Sequence, residues 1–406
     1  MASDYWLSSQ CNHWLFSRSQ LITARAEDLR YADSPDDVAA IGIWTCNAIA
    51  ALTKRLSQRQ RVTATACIFF RRFYAKIGNS YCSTDPAMVA TACFYIAAKI
   101  EETPVHVRVV ASEAAKLWSE LGHPSFPSDV SSLGQMEFYL LEDLDFHLIV
   151  HHPYRVLLTF SNNVGKIALS KLDDDFGGSI GMDLNTHTAG KEGLGLGLGM
   201  DVESEDARLG DAFVLNDTYR TDIGLLYPPH LIAIAALYLG FTLHQPSRDS
   251  LVASAEKMRE RRRKWAAAAA ALSHPSNQDS GSVGGSESAE QHSDLPPPPV
   301  PPPDALSFFA ALNVDFRLVA EVVQHILAGY EVWHRIDHAS TARTEQAPQS
   351  HMDGLEDGKD KGATQTSTSN GSGTSSSVLS DGPAMFAKLH RMRERRRLEL
   401  NLLNER

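Results

Sequence analysis

The sequence predicts an all-α protein with two similar helical units in tandem. Three observations carry this. No segment alternates apolar and polar residues between tight hairpin turns. The stretch Ala87-Met-Val-Ala-Thr-Ala-Cys-Phe-Tyr-Ile-Ala-Ala98 is apolar on every side, the pattern of a helix buried all round. A second all-apolar stretch, Pro228 to Leu243, repeats it at constant offset. Pro86 falls on Pro229, Met88 on Leu231, Ala90 on Ala233, Ala92 on Ala235, Tyr95 on Tyr238 and Ala97 on Gly240.

The elements follow in chain order. Residues 1–29 predict an N-terminal helix bearing Trp6 and Trp14. Each tryptophan has two open readings, a partner anchor or a cover for the chain's own core. Residues 30–150 form the first unit. Its central helix runs from Asp85, a capping residue, through Pro86, suited to the first turn, to Ile100. A further helix is expected over Ser128 to Phe146, where Leu133, Met136, Leu140, Leu141 and Leu144 make an apolar stripe. Proline at His151-His152-Pro153 biases its predecessor away from helix and marks the joint. The second unit spans 151–336. It is interrupted by irregular segments over 163–210, with Asp173-Asp174-Asp175 and a Gly-Leu run from Gly193 to Gly199, and over 246–304, with Arg259–Lys264 and Pro296–Pro303. These read as disordered insertions, tolerable because closure cost grows slowly with loop length. The glycine run lacks the GK[ST] ending of a phosphate loop. Residues 337–406 are a low-complexity tail. It ends in a basic amphipathic segment with Met385, Phe386, Leu389, Met392, Leu400 and Leu403, whose partner the sequence does not give.

Composition narrows the function. Of 406 residues, 38 are Lys or Arg and 49 are Asp or Glu, a net charge of −11, which disfavours a broad grip on a phosphate backbone. The longest apolar run, Leu231 to Leu243, is short of the roughly 20 residues of a spanning helix. The first residues carry no basic and apolar signal pattern. Five cysteines without a CxxC fit a reducing compartment, with Cys46, Cys67 and Cys93 expected in the core. No HExxH, GxSxG or metal-type Cys/His spacing is present, so no catalytic, metal or cofactor residue is nominated. The cluster His147, His151 and His152 reads as structural or solvated. Arg59, Arg61, Arg71 and Arg72 fit a solvated face better than an acidic partner.

The repeat breaks at Lys99. It is the lone charged residue from Pro86 to Ile100, and its counterpart is Thr242. A lysine ending a buried helix must reach solvent or a partner. Glu137 falls on the apolar stripe of the later helix. Two readings stay open: the two residues pair across packed helices, or Lys99 complements its own helix C-terminus. Glu101 and Glu102 follow at the helix exit, about 100° apart, and read as a solvated or partner-facing edge.

These residues resemble the cyclin box. Ala97-Ala98-Lys99-Ile100-Glu101-Glu102 is similar to the A-S-K-x-E-E signature ending its third helix. Met136-Glu137-Phe138 through Phe146 resembles its fifth, and the resemblance implies two five-helix boxes. Ser3-Asp4-Tyr5-Trp6-Leu7-Ser8-Ser9-Gln10, Val150-His151-His152-Pro153-Tyr154-Arg155 and Asn216-Asp217-Thr218-Tyr219-Arg220-Thr221-Asp222 resemble the C-type cyclins. The first unit carries Ala40-Ile41-Gly42-Ile43-Trp44 where cell-cycle cyclins have a substrate-docking patch, and Arg71 where they have an aspartate.

The resemblance implies a non-catalytic nuclear subunit, without cofactor. It would form a heterodimer with the cyclin-dependent kinase of the Mediator kinase module, alongside other Mediator subunits. Its expected role is to activate that kinase toward the RNA polymerase II tail and transcription factors, as activator or repressor of transcription. Neither membrane nor direct nucleic-acid contact is expected. Kinase-binding residues carried over or nominated are Lys99, Glu137, Glu101, Glu102, Trp6 and Trp14. The alternatives are an H- or K/T-type cyclin and a DNA-binding basal factor of cyclin fold. The basal factor would call for a basic face and usually CxxC pairs.

Overall fold

The computed structural model describes residues 4–157, 213–243, 252–253, 256–257, 259–267, 309–345 and 381–405. All regular structure among them is helical. Most of the two insertions and of the tail before residue 381 lies outside the described residues.

A 3-10 turn at Tyr5–Leu7 leads into α1 (Ser9–His13), α2 (Arg18–Ala24) and α3 (Ala26–Tyr31). The N-terminal helix is thus three short pieces. Ser8 and Ser17 each cap a new start, Ser17 in a reciprocal capping box with Gln20. The first unit contains α4 (Pro35–Arg55), α5 (Gln60–Ala75), α6 (Pro86–Ile100), α7 (Val107–Glu120) and α8 (Val130–Asp143). Ser34 and Asp37 form the capping box of α4, and Pro35 stands in its first turn. Asp85 accepts the Ala87 N–H and starts α6 as its sequence requires.

Helix α6 is central and packs on α4, α5, α7 and α8. Val89, Ala92, Cys93, Phe94, Ala97 and Ala98 have no exposed surface. The small side chains let the neighbouring helices approach, and Phe94 fills the gap. Truncating such a buried ring to alanine costs about 3–5 kcal/mol. Cys46, Cys67 and Cys93 are core residues, as their apolar context predicts.

The described part of the second unit holds α9 (Phe213–Thr218), α10 (Ile223–Leu226), α11 (Pro229–Leu243) and α12 (Phe316–Glu345). Helix α11 takes the place of α6, packed by α9, α10 and α12, with Ala233, Ala235 and Leu237 fully buried. The last helix, α13 (Gly382–Asn404), packs on α3 and on the first unit, where Phe386 meets Trp44 and Trp118.

Helix α8 is shorter than its apolar stripe predicts. It ends at Asp143, because Asp145 and Phe146 adopt left-handed backbone, φ 50° and 56°. The Phe146 N–H then reaches the Leu141 carbonyl at 3.1 Å and the Asp145 N–H the Glu142 carbonyl at 2.9 Å, which closes the helix end.

Candidate functional site

Lys99 stands in the last turn of α6, and Glu137 lies midway along α8, packed beside it. Lys99 Nζ is 2.5 Å from Glu137 Oε1 and 4.0 Å from the centroid of the Tyr95 ring. Of the two readings open from spacing, the pairing is the one present. The side chains are 40% and 18% exposed, so the pair is partly desolvated yet reachable from solvent. Burial acts to lower the Lys99 ammonium. The hydrogen bonds and charge of Glu137 and Tyr95 outweigh it and hold the group above its ordinary value. An ammonium has three donors and a carboxylate several acceptor sites, so the pair keeps capacity for a backbone placed against it.

Helix α8 and the turn after it expose large apolar side chains. Phe138 is 75% exposed, Tyr139 64%, Phe146 70% and Ile149 60%. The sequence reading passed over these residues. The signal was available: Phe138 and Tyr139 lie off the arc of Leu133, Leu140 and Leu144, which are buried. Adjacent exposed aromatics at a helix surface mark contact sites.

Glu102 sits just past α6 with φ 57°. Its N–H bonds the Lys99 carbonyl at 3.3 Å and the Thr103 N–H bonds that of Ala98 at 3.0 Å. A glutamate therefore occupies the left-handed position usually given to glycine. Its side chain is exposed beside Lys99.

Glu101 does not form a solvated edge with it. Glu101 Oε1 accepts the Thr65 hydroxyl at 2.6 Å and lies 3.8 Å from His152 Nε2, while Oε2 lies 3.8 Å from Arg61 Nε. Burial alone would raise the Glu101 carboxyl; His152, Thr65 and Arg61 prevail and hold it below its usual range. His152 Nδ1 and the Tyr219 hydroxyl are 2.7 Å apart. Glu101 thus ties α6 through Thr65 and His152 to the second unit. The helix end turns its carboxylate inward, which adjacency in sequence does not reveal.

The tryptophans separate. Trp14 is 2% exposed; its Nε1 donates to His147 Nδ1 at 3.1 Å and its ring lies 5.0 Å from the Arg72 guanidinium. This corrects its nomination as a partner contact, since the ring is spent on anchoring the N-terminal segment. Trp6 is 61% exposed. It lines an open groove of roughly 530 Å³ with Arg61, Glu101, His151 and His230.

Arg71 and Arg72 are likewise buried, against the expected solvated face. Arg71 pairs with Asp222 at 3.3 Å and donates to the Arg220 carbonyl. Arg72 donates to the His147 carbonyl at 2.9 Å, and burial pulls its guanidinium down to about 9. Arg220 in turn donates to Asn47 Oδ1 at 2.6 Å and lies 4.7 Å from the Trp333 ring. The Asn216–Asp222 run is the seam between the units.

The chain has recognisable relatives among known proteins. The family described as "Cyclin, N-terminal domain" matches residues 43–149, the stretch that holds α5 to α8 and both members of the ion pair. The RNA polymerase II holoenzyme cyclin-like subunit of Mycosarcoma maydis is 36% identical over 432 residues, covering 98% of this chain and 97% of the relative. The protein of the same description from Emericella nidulans is 34% identical over 262 residues, 63% of this chain and 72% of the relative. Among solved structures, a chain of the yeast TFIIK (Kin28/Ccl1/Tfb3) complex is similar at 24% identity, with a TM-score of 0.39, over 58% of this chain and 85% of that one. Identity of 36% over nearly the full length of a cyclin-like subunit, on a chain whose first unit matches the cyclin N-terminal domain, places this protein in the cyclin family.

Proposed function

We propose that this cyclin is the C-type subunit of a Mediator kinase module, a non-catalytic nuclear partner that binds and activates a cyclin-dependent kinase. The observation that carries the reading is the Lys99–Glu137 pair, half open on a helix that also exposes Phe138 and Tyr139. A regulatory helix laid on these side chains would bury apolar area, roughly 25 cal/mol per Å². It would also present backbone carbonyls and N–H groups to the ion pair. Holding that helix inward orients the kinase's own Lys–Glu pair and metal-binding loop for phosphoryl transfer. ATP and Mg²⁺ belong to the kinase, and this chain supplies contact and orientation. The products would be phosphorylated polymerase tail and transcription factors, and the assembly would include other Mediator subunits. Glu102 and Trp6, both exposed, are the remaining contact residues of the proposal. Glu101 acts through the fold.

A DNA-binding reading finds less support. Arg391, Arg393, Arg395 and Arg396 lie within 4 Å of carboxylates of the N-terminal segment and the first unit. Arg391 and Arg395 share Asp33, and all four cations are engaged within the chain.

The test is reconstitution. The chain is co-expressed with the Mediator-type kinase of the same source, and co-elution and activity on a polymerase tail peptide are read. Co-elution with activation, both weakened by Lys99→Ala with Glu137→Ala in a variant with native circular dichroism, supports the assignment. Equal activation by both proteins removes the anchor and leaves the kinase assignment. No complex, with duplex DNA bound at physiological salt, overturns it.

A further inference from the structure

Helix α12 carries His334 and His338 four residues apart, so both side chains leave one face of the helix, one turn apart. The two rings converge. His334 Nε2 and His338 Nε2 are 3.0 Å apart, with ring centroids at 4.1 Å and ring planes at 70°. Two ring nitrogens that both carry a proton cannot meet in this way, so at least one Nε2 presents a lone pair to the other. Both residues are exposed. This pair corrects the sequence reading, which finds no metal-type Cys/His spacing. Histidines at i and i+4 on one helix are the ligand spacing of HExxH, and Arg335 standing in place of its glutamate hides the pair from a search for that motif.

The backbone beneath the pair is held on its other side. Val322 and Ile326 are buried, the Tyr330 hydroxyl donates to Asp217 Oδ2 at 2.9 Å, and the Trp333 ring lies 4.7 Å from the Arg220 guanidinium. Arg335, between the two histidines, is engaged by carboxylates. Its Nη2 and Nε donate to Asp36 Oδ1 and Oδ2 at 3.0 and 3.1 Å, and its Nη1 donates to Glu331 at 3.3 Å. Glu331 stands one turn before His334 with its side chain 74% exposed. The local charge therefore does not oppose a cation at the two imidazoles.

The separation of the nitrogens fits metal coordination. A transition-metal ion sits about 2.0–2.1 Å from an imidazole nitrogen. Nitrogens 3.0 Å apart then subtend roughly 95° at the ion. Adjacent positions of a square or octahedral ion are about 90° apart, and widening the pair by about 0.3 Å reaches the tetrahedral angle. Imidazole suits zinc, nickel and copper, whereas magnesium and calcium take oxygen ligands.

We propose that His334 and His338 form a two-ligand site for a divalent transition-metal ion, of which Zn²⁺ and Ni²⁺ are the probes. Without the ion, one Nε2–H donates to the other Nε2. On binding, the donor ring changes tautomer and its proton moves to Nδ1, so both Nε2 lone pairs face the ion and no proton is released. Among the described residues no cluster of three or more His, Cys, Asp or Glu side chains is placed to hold a metal. The remaining positions of the ion fall to water or to a donor group of another molecule. None of these residues belongs to the proposed kinase contact.

The test titrates the full chain with NiCl₂ and with ZnCl₂ by calorimetry, beside His334→Ala, His338→Ala and the double variant, each with native circular dichroism. The chain has 16 histidines, so the difference between wild type and variants is what counts. Either single substitution should weaken the strongest site at least about tenfold, and the double variant should lose no more than each single one, because chelation needs both rings. Amide exchange around residues 334–338 should slow when Ni²⁺ is added to wild type and stay unchanged in the double variant. Equal affinity in wild type and the double variant, full affinity in either single variant, or no local slowing of exchange would overturn the proposal.

Discussion

Lys99 pairs with Glu137 at 2.5 Å, whereas Thr242, at the same position of the repeat, turns its hydroxyl back onto its own helix, to the Tyr238 and Leu239 carbonyls at 3.1 and 3.0 Å. One half of the repeat thus offers a charged, half-open helix end, and the other closes its end internally. The difference lies in one residue type and gives the first unit a surface that the second lacks.

Exchanging the two charges separates fold from contact. In the Lys99→Glu, Glu137→Lys variant the pair can re-form, and such partly exposed pairs contribute only about 0–1 kcal/mol. Thermal unfolding should therefore shift little. Kinase co-purification should fall about tenfold or more, about 1.4 kcal/mol, because each charge now faces the wrong backbone group. Retained co-purification would mean that apolar contact alone holds the partner.

Glu102 offers a second separation. Its left-handed backbone, φ 57°, costs a residue with a Cβ about 1 kcal/mol relative to glycine. Glu102→Gly should raise stability by about 0.5–1 kcal/mol in urea unfolding while weakening binding to the kinase. A gain in stability with unchanged binding would assign the glutamate no part in the contact.

Much of this was legible in the sequence, and the limits have a physical cause. The all-apolar helix, its repeat and the odd lysine follow from composition at helical spacing, because a helix buried on all sides tolerates no unpaired charge. Glu137 was legible as a carboxylate on an apolar stripe. Arg71, Arg72 and Trp14 were not. Their partners, Asp222, the Arg220 carbonyl and His147, lie 149–151, 75 and 133 residues away in the chain. A local pattern cannot tell a solvated arginine from one that bolts two units together. The partner of α13 was hidden for the same reason. The carboxylates that the cations of α13 meet are Glu27 of α3, Asp33 in the bend that follows, Asp37 of α4 and Asp85, which caps α6.

Asp28 predicts a pH response. It has no exposed surface, and its Oδ1 accepts the Tyr81 N–H at 2.8 Å. Burial raises its carboxyl to about 6, against the pull of Arg25 and the backbone donors. An unfolded aspartate titrates near about 3.9. Between these values the native state holds a proton that the unfolded chain has released, so this group's contribution to stability falls as pH rises from about 4 to about 6. Asp28→Asn keeps the acceptor for Tyr81 and removes the titration. The stability of wild type relative to this variant should fall by up to about 3 kcal/mol across that window, read by urea unfolding at each pH. A difference independent of pH would show that Asp28 ionises normally.

Gly382 is where the hold on α13 is most sensitive to a single atom. A Cβ built there runs into the Leu121 carbonyl oxygen and comes within 2.8 Å of its carbon, and both are backbone atoms that no rotamer change can move. Gly382→Ala must therefore lift the start of α13 away from the end of α7. Met385 and Phe386 follow within one turn, so the lift loosens the packing on Trp44 before it reaches the ion pairs. Amide exchange in 382–404 should quicken by about tenfold or more, with protection of α6 unchanged. Unaltered exchange would mean that the backbone adjusts locally, and that contacts further along the helix set its hold.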